Sequence, residues 1–396
     1  MKTSTRCVQL GRGADAYGAI VPPIYQTATF EQPTATEFGE FDYSRSGNPT
    51  RSLLEQQLAD LEDAAYACAF ASGMAALTSL TRIVRPGEEI VAGDDLYGGT
   101  VRLLDRLSSH LNIAVRYVDT TSTTEIRNAV TDRTRLILIE TPSNPLFRIS
   151  DIRELSSIAR DAGAYLAVDN SMLSPVFQRP LNLGADVVVH SATKFLCGHS
   201  DVTAGALITN NPALHKQFAF QQNAEGAGLS PFESWLLLRG LKTLALRVER
   251  QNSSAEKIAR FLQTRTEVTR VFYPGLPDHP GHEIHTQQAG GNGAVVSFTT
   301  GDEKLSAKIA ESTRLFKIAV SFGSVGSTIS LPCRMSHASI PGALRERLAP
   351  PSDLVRISVG IEDVDDLIDD LSQAFERDQP QNAPDEVERD CSLVSL

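Results

Sequence analysis

The sequence has little cysteine, no excess of positive charge and no long hydrophobic run. Its five cysteines are scattered without a Cys-x-x-Cys pair, so the sequence indicates neither a zinc site nor a redox dithiol. The sequence has 37 Lys and Arg residues and 48 Asp and Glu residues. The resulting net charge of −11 excludes a strong attraction to nucleic acid or anionic lipid. No 18 apolar residues run together and the start of the chain carries no apolar signal segment. We therefore expect a cytoplasmic protein with no membrane span.

The remaining composition is that of an ordinary globular protein, with 41% hydrophobic residues, 27 Gly and 20 Pro. Short apolar runs alternate with helical patterns, which is typical of a sheet covered by helices on both faces. A helix is predicted over about 50–62, because Asn48-Pro49 supplies an N-cap and a first helical proline. The apolar runs lie at 66–70, 89–92, 136–139, 165–168, 186–189 and 204–208.

These patterns predict a two-domain chain with distinct ends. Residues 1–45 are rich in Gly, Pro and Thr and show no sustained period, so we expect an extended arm that needs a partner surface. Residues 46–240 are expected to form a large doubly wound α/β domain, and 241–378 a smaller α+β domain of mixed strands and helices. The polar, proline-broken residues 379–396 are predicted to be a disordered tail.

The residues after two of the apolar runs point to a cofactor. Lys194 follows the run that ends at Val189, where open α/β sheets bind ligands, and a desolvated lysine there is suited to form a Schiff base. Asp169 ends another apolar run, and a carboxylate in that place needs a cationic partner such as a protonated pyridine nitrogen. The pair predicts a pyridoxal phosphate site.

A phosphate-binding segment and a ring platform complete this prediction. The sequence Phe70 to Ala76 contains small residues between a predicted strand and a predicted helix, so free N–H groups and the helix dipole would face an anion. Ser191 and Thr193 add hydroxyl donors. Tyr97 follows the run at 89–92 and is suited to lie against the cofactor ring.

The motifs as a set, covering about residues 5–378, resemble the Cys/Met-metabolism pyridoxal phosphate enzymes. The resemblance implies an aspartate-aminotransferase-like fold (fold type I of the pyridoxal phosphate-dependent transferases), pyridoxal 5'-phosphate as cofactor, and a homotetramer built from tight dimers. The matching stretches are Asp42-Tyr43-Ser44-Arg45-Ser46-Gly47-Asn48-Pro49-Thr50-Arg51, Ala71-Ser72-Gly73-Met74-Ala75-Ala76, Asp95-Leu96-Tyr97-Gly98-Gly99, Glu140-Thr141-Pro142-Ser143-Asn144-Pro145, Val168-Asp169-Asn170, Ser191-Ala192-Thr193-Lys194-Phe195 and Leu354-Val355-Arg356-Ile357-Ser358-Val359-Gly360.

The resemblance also implies a role for each matching residue. Lys194 is similar to the lysine that holds the cofactor and moves protons, and Tyr97 to the tyrosine that stacks on the ring and serves in acid/base steps. Tyr43 and Arg45 would reach the phosphate of the neighbouring subunit's cofactor. The predicted cofactor residues are Lys194, Asp169, Gly73, Met74, Ser191, Thr193, Tyr97, Asn144 (near the 3-hydroxyl), Tyr43 and Arg45.

Four residues are predicted to bind substrate by the same resemblance. Arg356 would hold the substrate α-carboxylate bidentately, with Ser321 beside it. Arg102 corresponds to an arginine that recognises the far carboxylate of the substrate. Asp42 is the fourth residue predicted to bind substrate. Methionine γ-lyases resemble one another in carrying a cysteine where this chain has Gly99 and in lacking that arginine, so the sequence disfavours that branch.

The distal contacts favour one branch of the family. Gly326 stands where γ-lyases and γ-synthases usually place a glutamate, and the stretches 275–282, 321–325 and 332–341 look most like the cystathionine β-lyase branch. The resemblance therefore implies a lyase that cleaves the Cβ–S bond of cystathionine, giving homocysteine, pyruvate and ammonia. The alternatives are Cγ–S cleavage, γ-replacement, and a carbon–sulfur lyase for another thioether amino acid such as methionine.

Other candidate residues and another class of protein are weighed against this prediction. His279, His282 and His285 recur every three residues, but Pro280 and Gly281 interrupt a helical ligand face, and no metal site is predicted. Cys197 and Met335 are expected to be packed core residues. A binding or scaffold protein without turnover is disfavoured by the intact set of Lys194, Asp169, Tyr97 and Arg356.

Overall fold

The computed structural model describes residues 1–376 apart from 10–14, 16, 339 and 341. The predicted tail at 379–396 and the predicted domain end at 378 lie outside the described residues. No helix in these described ranges has the length and apolarity to cross a bilayer.

The six apolar runs predicted from the sequence form six strands of the large sheet, and a seventh strand, Ala114–Val118, was not predicted. Within the described part of the chain its seven strands lie in the order β1-β7-β6-β5-β4-β2-β3. The inner strands are buried over most of their length, as expected for a sheet with helices on both faces. The strands are β1 (Tyr66–Phe70), β2 (Glu89–Gly93), β3 (Ala114–Val118), β4 (Thr134–Glu140), β5 (Tyr165–Asp169), β6 (Val187–His190) and β7 (Gly205–Thr209).

The sheet is parallel except at β7, which runs antiparallel to both β1 and β6. A parallel neighbour requires a crossover connection, usually a helix. Residues 191–204, between β6 and β7, form turns and loop rather than a helix. The segment that carries Lys194 therefore occupies the place of a crossover helix, and β7 returns antiparallel.

A smaller sheet follows in the C-terminal part of the chain. Its five strands, counted over the described residues, lie in the order β10-β11-β12-β9-β8. The pairs are antiparallel except for β10 with β11. The strands are β8 (Arg270–Phe272), β9 (Val295–Thr299), β10 (Lys317–Ile318), β11 (Thr328–Ser330) and β12 (Val355–Ser358).

Several helices begin after a residue whose side chain caps their free N–H groups. Asn48 accepts a hydrogen bond from the N–H of Thr50 over 3.0 Å, with Pro49 at the first helical position, and this confirms the helix predicted over 50–62. The helices are α1 (Thr3–Val8), α2 (Pro49–Leu61), α3 (Gly73–Thr81), α4 (Gly98–Leu111), α5 (Thr123–Ala129), α6 (Ile152–Asp161), α7 (Ser174–Phe177), α8 (Pro212–Ala224), α9 (Pro231–Leu241), α10 (Leu244–Gln263), α11 (His282–Gln288), α12 (Glu303–Ser312), α13 (Gly342–Leu348) and α14 (Val364–Glu376).

The N-terminal segment differs in part from the predicted extended arm. Residues 3–8 form α1, and its Cys7 is fully buried. Residues 17–47 hold no helix, and Tyr17, Ile20 and Phe38 expose large apolar side chains. The predicted boundary at 240–241 falls at the C-terminal end of α9, just before α10, and stays a prediction.

Candidate active site

A cavity of about 480 Å³ opens at the carboxyl ends of the parallel strands of the large sheet. Loop residues beside the smaller sheet close its other side, among them Ser321 and Phe322. Eleven predicted site residues line the cavity: Gly73, Met74, Tyr97, Arg102, Asn144, Asp169, Ser191, Thr193, Lys194, Ser321 and Arg356. Residues that are far apart in the sequence therefore share one site.

Lys194 lies in the turns that follow β6 and points its amine at the smaller sheet. Its Nζ donates a hydrogen bond to Oγ of Ser321 over 2.6 Å and lies 4.9 Å from the ring centre of Phe322. Burial, helped by the charge of Arg356, lowers the pKa of Lys194 to about 8, although Asp169 and Glu140 oppose the shift. A lysine with that pKa supplies a neutral amine near pH 8, as a Schiff-base lysine must.

Two carboxyl groups stand at the ends of neighbouring strands. Asp169 ends β5 and is paired in register with Glu140 at the end of β4. Burial raises the pKa of Asp169, opposed by hydrogen bonds from Ser171 and by the charges of His190 and Lys194. Burial raises the pKa of Glu140 well above its usual value, and the charge of Asp169 adds to that effect. The site thus contains a second carboxyl group, that of Glu140, which was not predicted as a site residue although it is the first residue of the matching stretch 140–145.

The first turn of α3 forms an anion cradle. The Ser72 hydroxyl accepts the N–H of Ala75 over 3.0 Å, whereas the N–H groups of Gly73 and Met74 have no preceding turn to bond to. A Cβ atom at Gly73 would lie 3.0 Å from Cβ of Ser191, so glycine lets the two segments meet. The N–H groups of Gly73 and Met74 and the hydroxyl of Ser191 therefore lie close together, as phosphate binding requires.

Arg356 comes from β12 and is almost fully buried. Its NH1 donates to Oδ1 of Asn144 over 2.8 Å and its NH2 to the carbonyl of Ser321 over 3.0 Å. Burial lowers the pKa of Arg356 to about 10, opposed by Glu140 and Tyr97, which leaves the guanidinium charged at neutral pH. A buried, oriented guanidinium of this kind suits bidentate binding of a carboxylate.

Three predicted residues lie apart from this chain's cavity. The guanidinium of Arg45 lies 5.4 Å from the ring centre of Tyr43 and donates to the carbonyl of Asn223 over 2.9 Å. The Asp42 carboxylate accepts the N–H of Tyr43 over 2.6 Å. All three residues belong to the N-terminal segment, and the roles predicted for Tyr43 and Arg45 concern a neighbouring subunit.

The structure also adds residues to the site. Met335 lines the cavity with Ser336, so the expectation that Met335 is a core residue was wrong. Thr203 and Phe322 line the cavity as well. Phe322 belongs to the stretch 321–325, which was used only to assign the branch of the family. Thr203 was not predicted as a site residue, because it precedes β7 and the antiparallel direction of that strand was not foreseen.

The remaining candidates make separate structural contacts. His279, His282 and His285 bond to the carbonyls of Phe147, Pro274 and Gly291 respectively. Cys197 is buried and its thiol donates to Asp201 over 3.2 Å, while burial raises its pKa to about 12. Cys197 is thus the packed residue that was expected.

A family model described as Cys/Met metabolism PLP-dependent enzyme matches residues 4–376. The chain belongs to this family. The chain is therefore an enzyme that uses pyridoxal phosphate, and the predicted fold type I is confirmed.

Named relatives agree with this assignment. A protein named chloroplastic cystathionine beta-lyase from Arabidopsis thaliana is 54% identical over 94% of this chain and 80% of its own length. A cystathionine beta-lyase from Neurospora crassa is 49% identical over 91% of this chain and 79% of its own. The crystal structure of a cystathionine gamma-lyase from Lactobacillus plantarum, complexed with L-serine, superposes with a TM-score of 0.92 at 40% identity, covering 95% of this chain and 98% of that one.

The residues of the cavity fit pyridoxal phosphate. Lys194 has an amine of lowered pKa, and the half-buried carboxylate of Asp169 makes no ion pair with any residue the structure describes. A protonated pyridine nitrogen would supply that missing cation. The cradle at Gly73 meets Ser191 at a separation that a side chain would obstruct.

Proposed function

We propose that this chain is a pyridoxal phosphate-dependent lyase that cleaves the Cβ–S bond of cystathionine. With water it would yield homocysteine, pyruvate and ammonia. One observation carries the proposal: a single cavity joins the half-buried Lys194 and Asp169 and the buried Arg356 to the exposed Arg102. The β-lyase names of relatives at 49 and 54% identity support the same reaction.

The cofactor residues divide the work of holding pyridoxal phosphate. Lys194 would hold it covalently, Asp169 would face its ring nitrogen, and the first turn of α3 with Ser191 and Thr193 would bind its phosphate. Thr193 is positioned by Ala204, because its hydroxyl accepts that residue's N–H over 2.9 Å. The hydroxyl donates to the Ala204 carbonyl over 3.2 Å, and it would turn this proton to the phosphate when the cofactor binds. Bound pyridoxal phosphate supplies a protonated ring that withdraws electrons from the substrate Cα.

The chain's own residues would then bind the substrate and move its protons. Arg356 would hold the α-carboxylate and Arg102 the far carboxylate of cystathionine, so the thioether spans the cavity between them. The neutral amine of Lys194 would accept the Cα proton, for which a pKa near 8 is suited. The Tyr97 hydroxyl would donate a proton to the leaving sulfur.

Identifying the keto acid tests this proposal. The purified, reconstituted protein is incubated with cystathionine, and we expect pyruvate and homocysteine in equal amounts. The variant K194A should release neither, and C197A serves as a matched control because Cys197 is packed outside the cavity and should keep the activity. Release of 2-oxobutyrate without pyruvate would overturn the β-lyase proposal. Borohydride reduction followed by peptide mapping should place the cofactor on Lys194.

The second candidate is cleavage of the Cγ–S bond, favoured by the similarity to the Lactobacillus plantarum γ-lyase. It would yield cysteine and 2-oxobutyrate from the same substrate. A γ-replacement reaction would instead need an activated homoserine ester and a thiol, and should form no keto acid in their presence. A lyase for another thioether is tested by offering methionine in place of cystathionine.

We further propose that the enzyme is a homotetramer whose sites are shared between subunits. Tyr43 and Arg45 lie outside their own chain's cavity, and the exposed apolar side chains of residues 17–47 would be covered by a second copy. Light scattering tests the assembly. Mixing R45A and K194A subunits should restore activity, since each hybrid dimer keeps one intact site.

The location and the domain limits are the remaining proposals. A cytoplasmic location is supported by the free thiols of Cys7, Cys68, Cys197 and Cys333, which suit a reducing compartment. Fractionation of the source cells tests it. The domain division at 240–241 is supported by the two separate sheets, and limited proteolysis should cut near it before either sheet is lost.

A further inference from the structure

Tyr97 has few contacts of its own that would fix its ring. It precedes α4, its side chain makes no capping hydrogen bond, and it is 38% exposed. Its N–H reaches Oε2 of Glu140 at a long 3.3 Å, which holds the backbone rather than the ring. The orientation of the ring must therefore depend on packing.

One packing surface is Gly99, in the first turn of α4. A Cβ atom there would lie 2.4 Å from Cε1 of Tyr97, so the ring lies directly over the glycine. This contact limits the ring on one side only. Something else must limit rotation toward the smaller sheet.

The second surface is His337, which the proposed mechanism does not use. Its ring centre lies 6.4 Å from that of Tyr97 at an interplanar angle of 85°, an edge-to-face pair. His337 is 1% exposed, and its Nδ1 is hydrogen-bonded to Oγ of Ser336 over 2.9 Å. Its backbone is also pressed against α4, because a Cβ atom at Gly98 would lie 3.1 Å from Cα of His337 and 2.7 Å from the carbonyl oxygen of Ser336.

The imidazole beside Tyr97 is uncharged. Burial and the charge of Arg356 lower the pKa of His337 to about 4, although the carbonyls of Asn144 and Leu96 oppose the shift. A neutral ring adds no positive charge to the site and cannot serve as a general acid at neutral pH. Its contribution is therefore steric and aromatic.

We propose that His337 is a positioning residue that holds the ring of Tyr97 in the orientation needed against the cofactor and the leaving sulfur. The inference rests on the proposed function for the role of Tyr97. The same loop brings Met335 and Ser336 into the cavity, so one segment both lines the cavity and packs against the tyrosine. Movement of the loop would change both together.

A double-mutant cycle on the reconstituted holoenzyme tests the proposal. We expect H337A to lower kcat about tenfold or more in the wild-type background, because a misplaced catalytic group is costly. In the Y97A background the same change should alter kcat less than twofold, since its target is gone. H337F, which keeps an aromatic edge, should retain most of the activity. H285A removes another buried histidine that bonds elsewhere, and it measures the effect of a core cavity alone.

The circular dichroism of the bound cofactor gives a readout that needs no substrate. H337A and Y97A should change this band in the same direction, while H285A and H337F should leave it close to wild type. Equal losses of kcat from H337A in both backgrounds, or an unchanged band, would overturn the proposal. If H337A does not fold, H337L against H337F decides by the same criteria. If the wild type releases no pyruvate from cystathionine, the proposed function fails, while the band still tests the Tyr97–His337 coupling.

Discussion

The amine of Lys194, in the turns after β6, donates a hydrogen bond over 2.6 Å to the hydroxyl of Ser321, in the loop between β10 and β11. Ser321 has φ of +80°, in the left-handed region that favours glycine. Its carbonyl also accepts from Arg356 over 3.0 Å. A single residue in a costly conformation thus connects the lysine to the arginine, and such conformations are concentrated at functional sites.

Two substitutions of Ser321 distinguish the effect of its hydroxyl from the energetic cost of its backbone conformation. S321A removes the hydroxyl and keeps a Cβ at positive φ, whereas S321G removes both. Both variants should lose about tenfold in kcat/KM, since the acceptor for a charged amine is gone. S321G should be more stable than S321A by about 1 kcal/mol in urea unfolding, because only alanine keeps the left-handed strain. Equal stabilities would show that the strain is not stored there.

The lowered pKa of Lys194 predicts how cofactor capture depends on pH. Capture requires the neutral amine, so the rate at which apoenzyme takes up pyridoxal phosphate should rise with pH through about 8 and level off above it. The charge of Asp169 raises this pKa and that of Arg356 lowers it. D169N should therefore move the midpoint down and R356Q should move it up. Stopped-flow absorbance measures both, and a wild-type midpoint above 10 would contradict the assignment.

Arg102 should matter only for substrates with a second carboxylate. R102Q is expected to raise KM for cystathionine about tenfold, as loss of a charged hydrogen bond does. KM for a thioether amino acid without the far carboxylate, such as S-methylcysteine, should change less than twofold. R356Q should weaken both substrates, because the α-carboxylate is common to them. Equal effects of R102Q on both would remove it from the proposed role.

The sequence predicted those parts of the site that follow directly from strand ends. Lys194 and Asp169 were found because each follows a buried apolar run, and parallel strands end at the same edge of a sheet. The antiparallel direction of β7 was not foreseen, since it depends on the lack of a helix between residues 191 and 204. The contact of His337 with Tyr97 is invisible in a single sequence, because it joins two loops that only the fold brings together.

Gly326 is the position where a side chain is expected to shift the reaction. No atom lies within 4 Å of a Cβ built there, so G326E should fold with a stability within about 0.5 kcal/mol of wild type, as is usual at exposed sites. The added carboxylate supplies the group that the resemblance places at this position in γ-lyases and γ-synthases, and the ratio of 2-oxobutyrate to pyruvate should rise. G326Q, which has the same size and no charge, is the control. An unchanged ratio in G326E would mean that specificity is set elsewhere, with Met335 and Ser336 next to be tested.

Arg247 of α10 is expected to stabilise the turn that carries Lys194. The buried guanidinium donates to the carbonyls of Phe195 over 2.8 Å and Gly240 over 2.9 Å, and burial lowers its pKa to about 10. R247M should lower the free energy of unfolding by about 3 kcal/mol or more, because two buried acceptors lose their donor. R250M, on the exposed face of the same helix, removes a long ion pair with Asp363 and a 3.5 Å hydrogen bond to the carbonyl of Glu362, and it should cost less than about 1 kcal/mol. Urea unfolding of both holoenzymes measures the difference, and a loss of similar size from the two variants would show that Arg247 does not hold the turn.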